Sequence, residues 1–339
     1  MADGPDADSR AAARAVLLRL LADGRFRSGQ ELAGVLGVSR AAVWKRVREL
    51  AHALELQVDA VRGRGYRLAS SLELLDSDRI AATLADGTAS RLAALELRGT
   101  VRSTNAELLG RRLDDGARGV VCLAEQQTAG RGRRGRSWAS PFGANVYLSL
   151  LWRFDVPPAG LSGLSLAAGV AVADALTAGG VCGVALKWPN DVLWGGRKLA
   201  GILVELAGES EGPTHAVVGV GVNWRMPETT GRRIDQPWVD VAGAVAGALP
   251  SRNLLAARLI DHLVAAAAVF RDAGLAPFLS RWRALDGLAG RPVRVALGER
   301  SVDGVELGVA ASGALRVATV DGEREFHAGE VSLRPFDGV

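Results

Sequence analysis

The sequence predicts an α+β protein of three parts: a winged helix-turn-helix head over residues 1–70, a mixed α/β body over 71–286, and a small all-β tail over 287–339. Three observations predict it. Residues 1–70 carry twelve Lys/Arg against eight Asp/Glu, while the remainder carries 29 of each sign, so the formal excess of +4 sits wholly in the head. A basic module on a neutral body points to a nucleic-acid partner. The middle of the chain mixes long apolar helical runs with glycine-broken β-like runs, and the end shows short alternating runs divided by glycine turns. With 339 residues, 48% of them hydrophobic, the chain can bury a large core, which excludes wholesale disorder.

In the head, Ala11–Leu21 carries Val16, Leu17, Leu20 and Leu21 at helical spacing, and Gln30–Leu36 carries Leu32, Val35 and Leu36. A turn follows at Gly37-Val38, and Ser39 is a good N-cap for a third helix. There Val43, Val47, Leu50 and Leu54 form one apolar stripe, with Lys45 and Arg48 on the opposite face. Two β-like stretches then flank Arg62-Gly-Arg-Gly65, a hairpin with a basic tip. Helix, turn, basic helix and basic wing together predict DNA binding through Ser39, Arg40, Lys45, Arg46, Arg48, Arg62 and Arg64. A plain solvated helix face is the alternative for any one of these charges, and the ordered set outweighs it. "SSLELLDSDR" after residue 69 reads as a linker.

The body raises one sharp question. "GRGRRGR", Gly130–Arg136, satisfies the G-x-G-x-x-G pattern, follows the β-like "GVVCLAEQ", and has Asp155 about twenty residues on, as a dinucleotide fold asks. The required helix is missing: Pro141 and Gly143 follow, then "NVYLSLLWRF", a strand. The context is strand, long loop, strand. A nucleic-acid patch stays open, but in a neutral body the arginines are better suited to bidentate contacts with a small anion.

Two further stretches favour that anion. "KWPNDVLWGGRKLAGILVEL" turns at Gly195-Gly196 and returns Lys198 toward Asn190 and Asp191, although a surface hairpin with an exposed lysine would look the same. "VVGVGVNW" is a glycine-spaced buried strand ending in Asn223, where backbone can approach a ligand closely. In "RSTNAELL", Thr104 and Glu107 form a capping box that sets Ser103, Thr104 and Asn105 at a helix start, which by itself is an ordinary cap. Leu164–Leu186 is the most membrane-like run, but Asp174 and several glycines break it into a buried helix and a buried strand. Asn253–Ala273 and Pro277–Leu285 read as helices. Cys122 and Cys182 lie in apolar runs without metal spacing and read as buried free thiols of a reducing cytosol. The start, "MADGPDADSR", has no apolar stretch, so no secretory signal is expected.

Taken in order, "STN", "GRGRRGR.W..P.G.N.Y.S", "KWPND", "RKLAGIL.E" and "G.GVN" resemble the bifunctional biotin–protein ligases that also repress the biotin operon. The resemblance spans nearly the whole chain. It implies a biotin ligase catalytic domain resembling class II aminoacyl-tRNA synthetases and an SH3-like terminal barrel. It implies biotin, ATP and Mg²⁺ as ligands, with biotinyl-5'-AMP as the intermediate and co-repressor. Partners would be the biotin carboxyl carrier protein of acetyl-CoA carboxylase, operator DNA, and a second copy once adenylate is bound, in the cytoplasm and without a membrane. Ser103, Thr104, Asn105 and Gln127 would hold the ureido ring, and Arg131, Gly132 and Arg133 would close over biotin and its adenylate. Lys198 would contact the carboxylate and the α-phosphate. Asn190, Asp191 and Asn223 would face ATP and Mg²⁺, Trp238 would cover adenine, and Phe142, Gly143, Ala144 and Asn145 would support the floor. Lys198, Arg131 and Asp191 would carry the chemistry, Asp191 by orienting the acceptor amine. The chain departs from the family before Gln126-Gln127, where a tyrosine is often found, and in "WRMPETTGRRIDQP" on the adenine side. A non-catalytic sensor of biotinyl-adenylate and a lipoate ligase are the competing readings; the intact Lys198, Asp191 and arginine loop argue against the first, "KWPND" and the winged head against the second.

Overall fold

Helices α1 (Pro5–Leu21), α2 (Gly29–Leu36) and α3 (Arg40–Leu54) and the hairpin of β1 (Val58–Val61) and β2 (Gly65–Leu68) build the head. The structure, a computed structural model, describes residues 5–114, 119–208, 211–298, 300–328 and 331–335; the expectation for the first four residues lies outside these. Ser28 caps α2 through the Glu31 amide, Gly37 ends it in the left-handed region, and Ser39 caps α3 through the Ala42 amide. Val43, Val47, Leu50 and Leu54 are buried as their spacing requires, with Leu17, Leu21, Leu32 and Leu68. Two expected core positions differ: Val16 and Val35 are exposed, and Leu18 takes a core place beside Leu17 because the buried stripe of α1 lies one residue round the helix.

The stretch read as a linker is fastened to the head at Leu72, whose amide donates to the Ala22 carbonyl, and to the body at Glu73 and Leu75. The Glu73 carboxylate accepts hydrogen bonds from Ser251 Oγ (2.5 Å), the Arg252 amide (2.8 Å) and Asn253 Nδ2 (2.8 Å), and the Leu75 amide donates to buried Glu125 (2.6 Å). Arg252, fully buried, pairs with Glu125 at 2.6 Å. Breaking such a buried pair from one side typically costs about 3–5 kcal/mol. Phe142 of the body is also buried in the head's core, so head and body share packing.

The body begins with two short helices, α4 (Ser77–Ala81) and α5 (Asp86–Ala89), then β3 (Leu92–Val101), α6 (Thr104–Leu108), β4 (Gly119–Gln127) and β5 (Val146–Phe154). After α7 (Leu164–Ala178) come β6 (Val184–Lys187), β7 (Asp191–Trp194), β8 (Arg197–Gly208) and β9 (Thr214–Val222). Short helices α8 (Glu228–Gly231) and α9 (Val241–Ala244) lead to α10 (Arg252–Ala273) and α11 (Leu279–Ala284). The strands form one sheet, ordered β3-β4-β5-β9-β8-β7-β6, antiparallel except for β3 against β4.

Alternation along β5 assigns the faces. Val146, Leu148, Leu150, Trp152 and Phe154 enter the main core beneath α7 and α10, while Tyr147, Ser149 and Leu151 point to the other face, where α6 packs. The run from Pro158 to Ala178 and helix α10 are long and apolar enough to cross a membrane by length and composition, yet most of each is buried and α7 and α10 pack on each other. Cys122 is buried in β4, but Cys182 is exposed: it sits between Gly180 and Gly183, both at positive φ, in the turn that breaks the apolar run from α7 to β6.

The tail holds β10 (Pro292–Leu297), β11 (Arg300–Val309), β12 (Leu315–Thr319), β13 (Gly322–Phe326) and β14 (Val331–Pro335) in one antiparallel sheet, ordered β13-β12-β11-β10-β14. Its apolar residues Val293, Val295, Leu315 and Val317 join the main core. The Gly287 amide donates to Leu186 of β6, binding the start of the tail to the sheet's edge.

Candidate active site

The hairpin of β7 and β8 turns through Gly195 and Gly196, both at positive φ, and a register shift after Val192 sets Lys198 opposite Leu193. Lys198 Nζ lies 2.7 Å from Asp191 Oδ1, and Lys187 Nζ, paired across β6, lies 3.1 Å from Oδ2. Burial pushes the Asp191 carboxyl up, but Lys198 and Lys187 together hold it below its ordinary value. The result is one half-buried carboxylate between two ammonium groups, a site with net positive charge.

Beside it, α6 starts at Thr104 with Ser103 buried at the cap. The expected capping box does not form: no side chain caps this helix, because the Thr104 hydroxyl and amide both donate to Gln127 Oε1 (3.2 and 2.9 Å) and the hydroxyl meets Ser149 Oγ at 2.7 Å. Asn105 Oδ1 accepts from Ser149 Oγ (2.6 Å) and its Nδ2 donates to Glu205 (2.8 Å) and to the Leu203 carbonyl. A Cβ on Gly219 would stand 2.1 Å from Asn105 Oδ1, so only glycine fits beneath it. Ser103, Thr104, Asn105 and Gln127 therefore converge as one polar wall.

The arginine loop runs from strand to strand without a long helix, and the dinucleotide alternative falls with it. Arg131 bridges Ser137, Gly132 bonds Arg136, and a turn through Arg134 and Gly135, both at positive φ, closes the tip. Arg131 pairs with Glu205 at 3.2 Å, tying the loop to the partner of Asn105. Arg133 donates to Asn190 Oδ1 (3.4 Å) and to the Ala328 carbonyl of the tail, and burial pushes its guanidinium down from its ordinary value. Trp138 follows the loop: its ring lies 5.3 Å from Lys198 Nζ and fills the space over Gly221, where a Cβ would stand 2.5 Å from the indole. Gln127 Nε2 donates to Ser140 Oγ, so the polar wall also holds the loop's far end.

Three expected ligand residues do scaffolding work here. Asn223, buried, donates to the carbonyls of Val239 (3.0 Å) and Lys198 (3.4 Å), and the Asn190 amide donates to Ile202. Trp238 bridges the Lys198 backbone, and its ring packs on Gly231 with Nε1 on the Gly231 carbonyl. Among the described residues no three His, Cys, Asp or Glu side chains group as a metal cage. Sequence reasoning gave no role to Ser149, Glu205, Lys187 or Trp138. Alternation could have found two of them: Ser149 is a buried polar residue on the face of β5 away from the main core, and Glu205 shares a strand face with Gly201.

In the head, Arg40, Lys45 and Arg48 are exposed on the outer face of α3, and Arg46 is half-buried. At the wing, Arg62 and Arg64 are exposed, and Arg64 stacks on Phe26 with its guanidinium carbon 4.1 Å from the ring centre.

A sheet whose polar wall and cationic floor share one face, joined to a helix-turn-helix head, defines the class: a ligase body with a DNA-binding module. A family model described as the biotin/lipoate A/B protein ligase family matches residues 99–223, an HTH domain model matches 13–67, and a biotin protein ligase C-terminal domain model matches 289–334. The chain is 42% identical over 318 residues to the bifunctional ligase/repressor BirA of Salmonella typhimurium, covering 94% of this chain and 96% of that protein. It is 40% identical over 227 residues to the biotin–[acetyl-CoA-carboxylase] ligase of Mycobacterium tuberculosis, covering 65% of this chain and 81% of that one. The biotin protein ligase from Aquifex aeolicus, solved with biotin and ATP, matches with a TM-score of 0.60 at 25% identity, over 72% of this chain and all of that one. The chain belongs to the family of BirA bifunctional ligase/repressors.

Proposed function

We propose that the chain forms biotinyl-5'-AMP from biotin and ATP, transfers the biotin to a lysine of the biotin carboxyl carrier protein of acetyl-CoA carboxylase, and represses the biotin operon with unspent adenylate as co-repressor. The observation that carries the reading is Lys198 held by Asp191 beside the arginine loop. A biotin carboxylate oxygen attacks the α-phosphorus and pyrophosphate leaves; two anions must approach, and Lys198 with Arg131 and Arg133 offsets their repulsion. The acceptor amine then attacks the acyl carbon and AMP leaves with the proton released. Asp191, charged in this setting, orients that amine.

Ser103, Thr104, Asn105 and Gln127 form the biotin end of the site, whose amides and hydroxyls suit a ureido ring. Arg131, Gly132 and Arg133 close over the adenylate, keeping a hydrolysable anhydride from water. Asn190, Asp191, Asn223 and Trp238 form the nucleotide side. Mg²⁺ would arrive on the triphosphate, whose oxygens would supply most of its ligands and whose charge it would neutralise; Asp191 would face it on exchanging one of the two lysines that pair with its oxygens. Seams near residues 70 and 286, a class II synthetase-like body, an SH3-like tail, an adenylate-bound homodimer and a cytoplasmic site of action complete the reading. Operator contacts fall to Ser39, Arg40, Lys45, Arg46, Arg48, Arg62 and Arg64.

The test is incubation of the full chain with ATP, Mg²⁺ and labelled biotin or lipoate in the presence of a carrier domain. Biotin on a single carrier lysine with release of AMP is expected. Lipoyl transfer, or adenylate without any transfer, would replace this reading with one of its competitors.

A further inference from the structure

The outer face of α3 carries one residue that cation–phosphate contact does not account for. Arg40, Ala41, Trp44, Lys45 and Arg48 stand at i, i+1, i+4, i+5 and i+8, opposite the buried Val43, Val47, Leu50 and Leu54. Of the chain's eight tryptophans, Trp44 alone is exposed, with half its surface in water. The others are buried or half-buried, several with the indole N–H on a backbone carbonyl, as at Trp188, Trp194, Trp224 and Trp238. One exposed apolar ring is ordinary in itself; what singles Trp44 out is its place among cations on the helix face that a helix-turn-helix turns to the groove.

The neighbours of the ring decide what makes it. Arg48 holds its guanidinium carbon 4.8 Å from the indole centre, which orients the ring and leaves its outer edge open. Arg40 and Lys45 flank it, and the wing cations Arg62 and Arg64 extend the same positive field. Lys45 is offset by Glu49 at 3.9 Å, but an apolar protein partner would still have to bury the excess of cations around the ring, whereas DNA neutralises them with phosphates. Residues near the start of a recognition helix reach base edges in the major groove. There the apolar group on offer is the C5-methyl of thymine; the other edge groups are hydrogen-bond donors and acceptors, which the carbon edge of an indole cannot satisfy.

We propose that Trp44 is a specificity-determining residue that packs its indole edge on a thymine methyl in each operator half-site. The proposal rests on the DNA-binding reading of the head and adds to it a base, a residue and a contact. Removing one buried methyl should weaken binding about four-fold, and two symmetric methyls should weaken it by roughly ten-fold or more.

The experiment uses the full chain saturated with biotin and ATP. A duplex is selected from a randomised pool on the wild-type chain, and each of its thymines is then replaced in turn by uracil, which lacks only the methyl. Affinities are compared for the wild type, Trp44→Ala and Trp44→Phe, with circular dichroism confirming an intact head. The expected result is a loss at one thymine per half-site for the wild type, kept by Trp44→Phe and absent in Trp44→Ala. Three results overturn the proposal: a wild type indifferent to uracil at every thymine, a Trp44→Ala variant that still discriminates, or one that binds more weakly with discrimination unchanged, which would put the ring on the sugar–phosphate backbone. If the pool yields no preferred sequence, the DNA-reading head itself fails and this inference falls with it.

Discussion

Two stretches of alternating arginine and glycine, Arg62–Gly65 and Gly130–Arg136, differ in what they lie against. At the wing, Arg62 and Arg64 face solvent, Arg64 rests on the apolar ring of Phe26, and Gly65 allows the strand to pass Arg27, whose carbonyl would stand 2.0 Å from a Cβ at that position. In the body, Arg131 reaches Glu205 and Arg133 reaches Asn190 and the tail. Local composition is nearly the same, so surroundings assign the chemistry. An arginine on an aromatic ring keeps its charge outward for phosphates along a duplex. An arginine resting on a single carboxylate, as Arg131 does on Glu205, is parked, and a bound anion in the site can draw it inward. The lesson is that a basic glycine-rich motif names no ligand until the opposing wall is known.

The sharpest way to break the comparison is at the floor beneath the loop. Lys198→Ala removes the charge on which the loop's work depends, and adenylate formation should slow on the order of 100-fold or more with the fold intact. Pyrophosphate exchange measures it, and a normal rate would remove Lys198 from the mechanism. The head should not notice: salt-dependent duplex binding by the same variant should match the parent in the absence of ligand.

The wing is tested by its counterions. Arg62→Ala with Arg64→Ala should flatten the slope of log affinity against log salt by about 1.8, two phosphates' worth, while adenylate formation is unchanged. Titrations at several salt concentrations give the slope, and an unaltered one would show that the wing arginines touch no phosphate.

A smaller effect separates the two regions by pH. Glu306 of the tail is buried against Asp286, and burial first, then the Asp286 charge, pushes its carboxyl up to about 8. A raised folded value favours the protonated form, so this group's contribution to stability is full below the ordinary glutamate range and is lost as pH rises through about 8. Tail amides in β10 and β11 should therefore exchange hydrogen several-fold faster above that pH, beyond the intrinsic increase, and Glu306→Gln should abolish the step. Arg133 leans on this tail, so the loop should loosen with it; the wing has no such group and should keep its exchange rates. A pH-independent tail would dissolve the link.

Much of this was legible in the sequence because it rests on local rules. Ser39 as a cap, the Val43-to-Leu54 stripe and the strand–loop–strand context of the arginines follow from spacing and from Pro141 and Gly143. What was not legible depends on partners far along the chain. Thr104 and Glu107 satisfy a capping pattern, but Gln127 and Ser149 claim the threonine hydroxyl. "SSLELLDSDR" has a linker's composition, yet Ser251, Arg252 and Asn253, some 180 residues away, take up Glu73. Glu205 stands on a legible strand face, but its partners Asn105 and Arg131, about 100 and 74 residues away, are not legible.

The most direct measurement of the contrast is the rate at which biotinyl-adenylate leaves the chain. Arg131→Gly should make the adenylate but release it roughly 10- to 100-fold faster, the worth of a charge-assisted hydrogen bond, and so label bystander lysines. The Arg62→Ala, Arg64→Ala variant should hold it as long as the parent. Equal retention by Arg131→Gly and the parent would contradict the account, because the loop arginine would then be no lid at all.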